Sequence, residues 1–266
     1  MQSFKILSFC VGAVALALAT AAYANRKINT AKTVNTGTPG KGFALVELFT
    51  SEGCSSCPPA DELLAKIQKE TQGKPVYILA YHVDYWNSLG WKDVFSHAMF
   101  SKRQKEYSYY LNAQVYTPQV VVNGKTEMVG SDEPVLREAI SGALAIVQTA
   151  QVSLQAQQNG DKLTVNYELT GGSTNQQLLI AVVQKTAISK VDRGENSGRT
   201  LSHAQIVRDL KTVALNQAKK GQTTINLPKG FAPQGWEVVG FIQDKANGEI
   251  LTATKMALNS GAVAKI

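Results

Sequence analysis

Apolar residues recur along this chain in two rhythms, and the change from one to the other divides it. Phe43 to Thr50 is an apolar run broken only by Glu47, and it ends at Ser51-Glu52-Gly53, as a buried strand followed by a turn would. Ala60, Leu63, Leu64 and Ile67 then return at helical spacing. Pro58 and Pro59 fit the opening turn, whose N–H groups have no acceptor within the helix, and Gly73 can stop it. Val76 to Asp84 reads as a second strand and Gln119 to Val122 as a third, which Asn123-Gly124 folds into a hairpin with Lys125 to Val129. Asp132 can cap a last helix whose Val135, Leu136, Ala139, Ile140, Ala143, Leu144 and Val147 share one face. The order β-α-β, insertion, β-β-α predicts an α/β unit over residues 42–150, a mixed sheet with helices for both faces.

The insertion, at about residues 85–116, is rich in rings: half of the chain's aromatic residues fall between 81 and 116, among them Tyr85, Trp86, Trp91, Phe95, Phe100 and Tyr107. It is expected to be a helical subdomain with its own small core. Its rings either pack that core or form an apolar wall for a polypeptide. From Ala150 the period shortens to two. Val152 to Ala156, Leu163 to Leu169, Leu178 to Gln184, Gln205 to Leu215, Thr223 to Leu227, Trp236 to Gln243 and Glu249 to Ala257 are candidate strands, with Asn159-Gly160 and Asn247-Gly248 as hairpin turns. Residues 151–266 therefore read as an all-β, sandwich-like C-terminal domain.

The first residues belong to neither rhythm. Lys5 precedes an uncharged stretch from Ile6 to Ala22, and Ala22-Tyr23-Ala24 offers small residues around a cleavage point, so residues 1–24 read as a signal peptide and 25–41 as a flexible leader. The mature protein is expected to be exported, periplasmic or secreted, with no membrane attachment once the signal is cleaved. Composition then narrows the classes. The 266 residues are 44% hydrophobic and 18% charged, which excludes collagen-like, disordered and polytopic membrane chains. The net charge of +7 is spread over solvated faces, so no nucleic-acid partner is expected. Gly124-Lys125-Thr126 imitates the tail of a phosphate loop, but Gln119 stands where its first glycine is needed.

Cys10 leaves with the signal, so Cys54 and Cys57 alone meet an oxidising compartment. They lie between a buried strand and a helix N-terminus, where the helix dipole favours a negative sulfur. Cys54, at the more accessible end, is the expected nucleophile, and Cys57 the resolving thiol. A bridge over so short a loop stabilises by at most ~2 kcal/mol in the chain-entropy account, which argues against a purely structural role. Thr117-Pro118 enters the third strand. A cis proline there would turn the neighbouring peptide groups outward to pair with an extended peptide. Glu47, seven residues before Cys54, is a possible proton acceptor for Cys57 if buried. His82 and Asp84 end the second strand, close to where α/β sites gather, and read first as a hydrogen-bonded pair. Trp86 follows them. Arg193 and His203 lie in the Gly-rich stretch 189–203, which either reaches the cysteines or is a solvated connection.

These residues resemble the thioredoxin superfamily: Phe43 to Gly53, the Cys54-Ser55-Ser56-Cys57 turn, its helix, and Thr117-Pro118 in the cis-proline position match that layout over residues 43–150. The resemblance implies a thioredoxin-like fold and a redox-active Cys54–Cys57 disulfide needing no organic cofactor. Ser55-Ser56 departs from the Gly-Pro and Pro-His dipeptides familiar between such cysteines. More specifically, Val46 to Asp61, His82-Val83-Asp84-Tyr85-Trp86, Leu89-Gly90-Trp91-Lys92-Asp93 and Arg193-Gly194-Glu195-Asn196 resemble an exported bacterial family, domain of unknown function twelve-twenty-three. The expected activity is thiol–disulfide exchange with an exported polypeptide or small thiol and a further redox partner. Two alternatives remain open: copper handling through Cys54, Cys57 and a histidine, with no other metal site, or an interaction module whose disulfide is inert.

Overall fold

The computed structural model describes residues 30–31, 41–172, 175–215 and 219–258. Residues 1–24, read as a signal peptide, lie outside them. In chain order the first half forms β1 (Thr30–Ala31), β2 (Ala44–Thr50), α1 (Pro58–Glu70), β3 (Val76–His82), a 3-10 turn (Tyr85–Leu89), α2 (Ala98–Tyr110), β4 (Gln119–Val122), β5 (Thr126–Val129) and α3 (Glu133–Ala145). The second half is all strand apart from a short turn at Pro233–Gly235: β6 (Gln151–Asn159), β7 (Lys162–Thr170), β8 (Gln176–Lys190), β9 (Thr200–Ala214), β10 (Lys220–Asn226), β11 (Trp236–Asp244) and β12 (Ile250–Ala257).

Local chemistry explains most boundaries. α1 buries Ala60, Leu63, Leu64 and Ile67 on one face, each large side chain contributing about 1.5–3 kcal/mol. Asp132 caps α3 by accepting from the Val135 N–H at 3.3 Å. Asn123 and Gly124 both take positive φ, 49° and 66°, as a two-residue hairpin requires. The Asn123 amide does more than turn the chain: its Oδ1 accepts from Leu45 N at 2.7 Å and its Nδ2 donates to Phe43 O at 3.0 Å, fastening the hairpin to β2. Val135 and Val147, expected on the apolar face of α3, are exposed (42% and 61%), the first in the opening turn and the second beyond the helix end.

All seven strands expected in the second half are present, but they divide between two sheets. β8, β9, β11 and β12 join the first-half strands in one eight-stranded mixed sheet of order β12-β11-β8-β9-β3-β2-β4-β5. The seam is a parallel contact between β3 and β9 at Ala80 and Ile206. β6, β7 and β10 form a second sheet with β1, whose Thr30 and Ala31 pair with Gln157 and Ala156. Part of the stretch read as a flexible leader is thus a strand, taking up backbone groups that β6 would otherwise expose at an edge.

Alternation places three cores around the large sheet. On one face of its first half, Val46, Leu48 and Val120 meet α1 and α3. On the same strands Leu45, Phe49, Tyr77 and Tyr81 point the other way, into a core shared with α2 and with Ala181, Val183 and Phe241 of the second half. The third core packs Leu178, Ile180, Val182 and Val238 against the small sheet through Leu154, Leu163 and Val165. The aromatic insertion therefore has no separate core of its own: Phe100 and Tyr107 of α2 pack edge-on against Tyr81 and Phe49 of the sheet, at centroid distances of 5.3 and 6.1 Å. Burying those rings on a large existing face removes more apolar area from water than a three-turn helix could cover alone.

Candidate functional site

The buried run of β2 carries the chain to the end of the sheet, and Ser51 to Cys57 turns it back into α1. Cys54 N donates to Ser51 O at 3.1 Å and Cys57 N to Cys54 O at 3.3 Å, so the turn is closed by its own backbone. Cys54 and Cys57 are joined as a disulfide with their Cα atoms 5.5 Å apart. Pro58 and Pro59 occupy the first helical positions, and the Ala60 and Asp61 N–H groups bond back to Cys57 O. The peptide Thr117–Pro118 is cis. It stands beside the turn: Ser56 Oγ donates to Thr117 O at 3.5 Å, and Ser56 Oγ is also 3.5 Å from Cys54 Sγ. Trp86 holds this arrangement from the side, donating from Nε1 to Thr117 Oγ1 at 2.9 Å. Gly53 allows the approach, since a Cβ there would come within 3.2 Å of Trp86 Cβ.

The accessible first sulfur expected from the sequence is not what the structure has. Ser55 and Ser56 form an exposed rim, while both cysteines beneath it are 0% exposed. The connection between β8 and β9, residues 191–199, lies over this turn. Asn196, itself buried, donates from Nδ2 to Glu52 O at 2.9 Å and to Cys54 O at 2.8 Å. Glu195 Oε2 accepts from Ser55 N at 3.0 Å, and the Ser55 hydroxyl, with this N–H, holds the carboxyl below the usual range. Gly194, at φ +76°, lies where a Cβ would press within 3.2 Å of Trp91 Cβ. Of the two readings of stretch 189–203, contact with the cysteines is therefore the one realised. Arg193 is exposed on the outside of the loop.

Glu47 is buried, but not toward the cysteines. It points from β2 into the core shared with α2, where Arg103 Nε and Nη2 donate to its carboxylate at 2.7 and 3.0 Å and Tyr107 Oη donates as well. α1 packs on the opposite face, so alternation along β2 removes Glu47 from the role of proton acceptor for Cys57. Burial opposes the Arg103 charge and Glu47 outweighs it, leaving the guanidinium firmly protonated. Asp84 is not the partner of His82: its carboxylate accepts from Ser101 Oγ. His82 turns inward and its Nδ1 lies 2.6 Å from Asp93 Oδ2.

Behind the disulfide turn, a group of buried acids and histidines converges from α1, β3, β9 and the segments that hold Glu52 and Asp93. Asp61 of α1 accepts from Thr50 Oγ1 at 2.9 Å. Glu52 accepts from Trp91 Nε1 at 2.7 Å and donates its backbone N–H to Asp93. His203 of β9 lies between them, Nε2 3.4 Å from Glu52 and Nδ1 3.8 Å from Asp61. Its ring meets His82 edge to face at 4.9 Å. Burial works against a charge on His203, but Asp61 and Glu52 outweigh it and raise its pKa to about 9. Burial likewise opposes the Asp93 carboxylate, and His82 outweighs it, so Asp93 titrates below its usual range. Sequence reasoning found His82 and His203 of this group and passed over Asp61, Glu52 and Asp93, as it did Asn196 of the 191–199 loop. The available signal was charge and amide placed among apolar or Gly-rich neighbours, in Ser51-Glu52-Gly53, Trp91-Lys92-Asp93 and Glu195-Asn196.

Among the described residues, no helix is long and apolar enough to cross a membrane. The crystal structure of protein AGR_C_4864 from Agrobacterium tumefaciens is similar, with 26% identity over 84% of this chain and 97% of that one and a TM-score of 0.62. A domain of the outer membrane lipoprotein Omp28 from Porphyromonas gingivalis aligns over 43% of this chain and 91% of its own, at 12% identity and a TM-score of 0.27. A DUF3823 family protein from Bacteroides ovatus aligns over 43% of this chain and 59% of its own, at 14% identity and a TM-score of 0.29. No curated protein matches. The family model described as protein of unknown function (DUF1223) matches residues 45–243, most of the chain. By that match, which takes in the cysteine turn, the cis proline and the covering loop alike, the chain belongs to the DUF1223 family.

Proposed function

We propose that this is an exported thiol–disulfide exchange protein, with a thioredoxin-like redox half and a sandwich-like second half that supplies the cover of the site. The observation that carries the reading is the cis Thr117–Pro118 peptide beside a Cys-x-x-Cys disulfide at the start of a helix. A peptide lying along that edge would find main-chain partners at Thr117 once residues 191–199 lift. From the oxidised state, a substrate thiolate attacks Cys54 Sγ, a mixed disulfide forms, and Cys57 leaves as the thiolate. A second substrate thiolate then attacks the substrate sulfur of that mixed disulfide and releases Cys54. Two substrate thiols become one disulfide, the protein gains two electrons and becomes the dithiol, and a partner disulfide reoxidises it. No organic cofactor enters this cycle.

Burial of both sulfurs favours one competing reading, a sealed disulfide that only braces the turn. The Cys57→Ser chain separates the two. Under exchange, its Cys54 thiol attacks glutathione disulfide, expels one glutathione thiolate and keeps the other half as an adduct visible by mass spectrometry, because the resolving thiol is gone. The same treatment of the prereduced wild-type chain ends in the intramolecular disulfide. A folded Cys57→Ser chain that stays unmodified, with a wild-type disulfide that resists excess dithiothreitol, would establish the sealed brace instead.

A further inference from the structure

The group behind the disulfide contains more ligand atoms than hydrogen bonds to satisfy them. His82 Nε2, His203 Nδ1 and His203 Nε2 are buried without a hydrogen-bond partner, on residues 0% and 4% exposed. Buried nitrogens are rarely left so, since each forgoes water at a cost of about 1–3 kcal/mol. A proton on His203 supplies charge between Asp61 and Glu52, yet does nothing for His82, whose Nδ1 already faces Asp93 and whose Nε2 faces no acceptor or donor.

We propose that Asp61, His82 and His203 form a binding site for a divalent first-row transition ion, with zinc the ion that best suits two imidazoles and a carboxylate. One ligand atom from each of the three lies within 4.8 Å of the other two, around a point that a single ion can share. The assigned ligand atoms are His82 Nε2, the nitrogen left free by the Asp93 contact, and the facing pair His203 Nδ1 and Asp61 Oδ1, 3.8 Å apart. Each has a supporting group of the kind that orients metal ligands. Asp93 takes His82 Nδ1 at 2.6 Å, Thr50 Oγ1 takes the other Asp61 oxygen at 2.9 Å, and Glu52 lies 3.4 Å from His203 Nε2. His203 would exchange its ion pair with Asp61 for the bond to the ion, its Nε2 staying toward Glu52. A cleft of about 170 Å³ is lined by Asp61 and His203 together with Pro58 and Arg199, so two of the three ligands border open space. The site does not use the cysteines, so it stands or falls independently of exchange chemistry.

The test uses the untagged mature chain starting at Asn25, which lacks Cys10, with its disulfide intact and no free thiol by Ellman titration, so that no cysteine competes as a ligand. After incubation with zinc chloride and gel filtration, elemental analysis should find one zinc per chain. Cobalt(II) should give the visible bands of a low-coordinate site without thiolate charge-transfer absorption. His82→Gln and His203→Gln should each abolish uptake, and Asp93→Asn should weaken it about 10–100-fold by loosening His82. Because a buried substitution can disturb folding, the cobalt spectrum of the wild-type chain decides alone if the variants do not fold. Wild-type chain that retains no zinc and develops no cobalt bands overturns the proposal, as does uptake unchanged in both folded histidine variants.

Discussion

Asn196→Ala is expected to accelerate reduction of the Cys54–Cys57 disulfide by dithiothreitol about 10–100-fold. The Asn196 amide donates to two backbone carbonyls, Glu52 O and Cys54 O, across a gap of more than 140 residues in sequence, and its own Oδ1 accepts from Arg199 Nη1 at 2.8 Å. In the closed state the alanine leaves both carbonyls without these donors in a region closed to water. In the open state they are hydrated in either chain. The difference, about 1–3 kcal/mol, falls wholly on the closed state and raises the open population about tenfold for each 1.4 kcal/mol. Glu195→Gln, by contrast, removes charge from an exposed contact to Ser55 N and should change the rate by less than about threefold. The measurement is the pseudo-first-order reduction rate, followed by thiol trapping and mass spectrometry. Equal rates in wild type and folded Asn196→Ala would mean that the loop is not what closes the site.

Arg103→Met is expected to cost about 3–5 kcal/mol of stability, because it strands the Glu47 carboxylate in a fully buried position. The guanidinium does more than neutralise Glu47. It donates at 3.3 Å to Gln243 Oε1 on β11 and lies over the rings of Tyr81, Tyr107 and Phe241 at 5.0–5.7 Å, so it ties β2, α2 and the second half of the sheet together. Removing both charges, as Glu47→Leu with Arg103→Met, should recover most of the loss, since burying an ion pair is itself costly and apolar groups of similar volume replace it well. Urea denaturation of the single and double variants measures this. A single variant within about 1 kcal/mol of wild type would show that the pair is not desolvated as its 0% and 5% side-chain exposures indicate.

Both predictions concern contacts that join distant parts of the chain, and the distinction runs through the whole molecule. α1 could be read from Ala60, Leu63, Leu64 and Ile67, the cap of α3 from Asp132, and the β4–β5 turn from Asn123-Gly124, because each depends on geometry repeated within a few residues. The seven strands of the second half were legible for the same reason. The cysteine turn and Pro118 were legible as candidates because their residue types and order are unusual, and the cis Thr117–Pro118 peptide lies where that order placed it.

Partnership was not legible. A period of two says that β9 is a strand; it does not say that Ile206 pairs with Ala80 and fuses the halves into one sheet. Nor does it tell which face Glu47 takes, or that the partner is Arg103 from the aromatic insertion. His82 stands two residues from Asp84 yet bonds Asp93, because β3 ends at His82 and alternation no longer governs Asp84, whose carboxylate goes to Ser101 of α2 while the following turn returns Asp93 against the buried ring. His203 and Asn196 reach the disulfide turn from β9 and its preceding loop only after the large sheet has closed. Elements, caps and turns were thus determined by the sequence itself, through dihedral preferences and periodic burial that act locally. The buried charges, the loop that lies over the cysteine turn and the histidine–carboxylate cluster behind it were decided by the tertiary structure, because desolvation and close packing select among partners that no local pattern distinguishes.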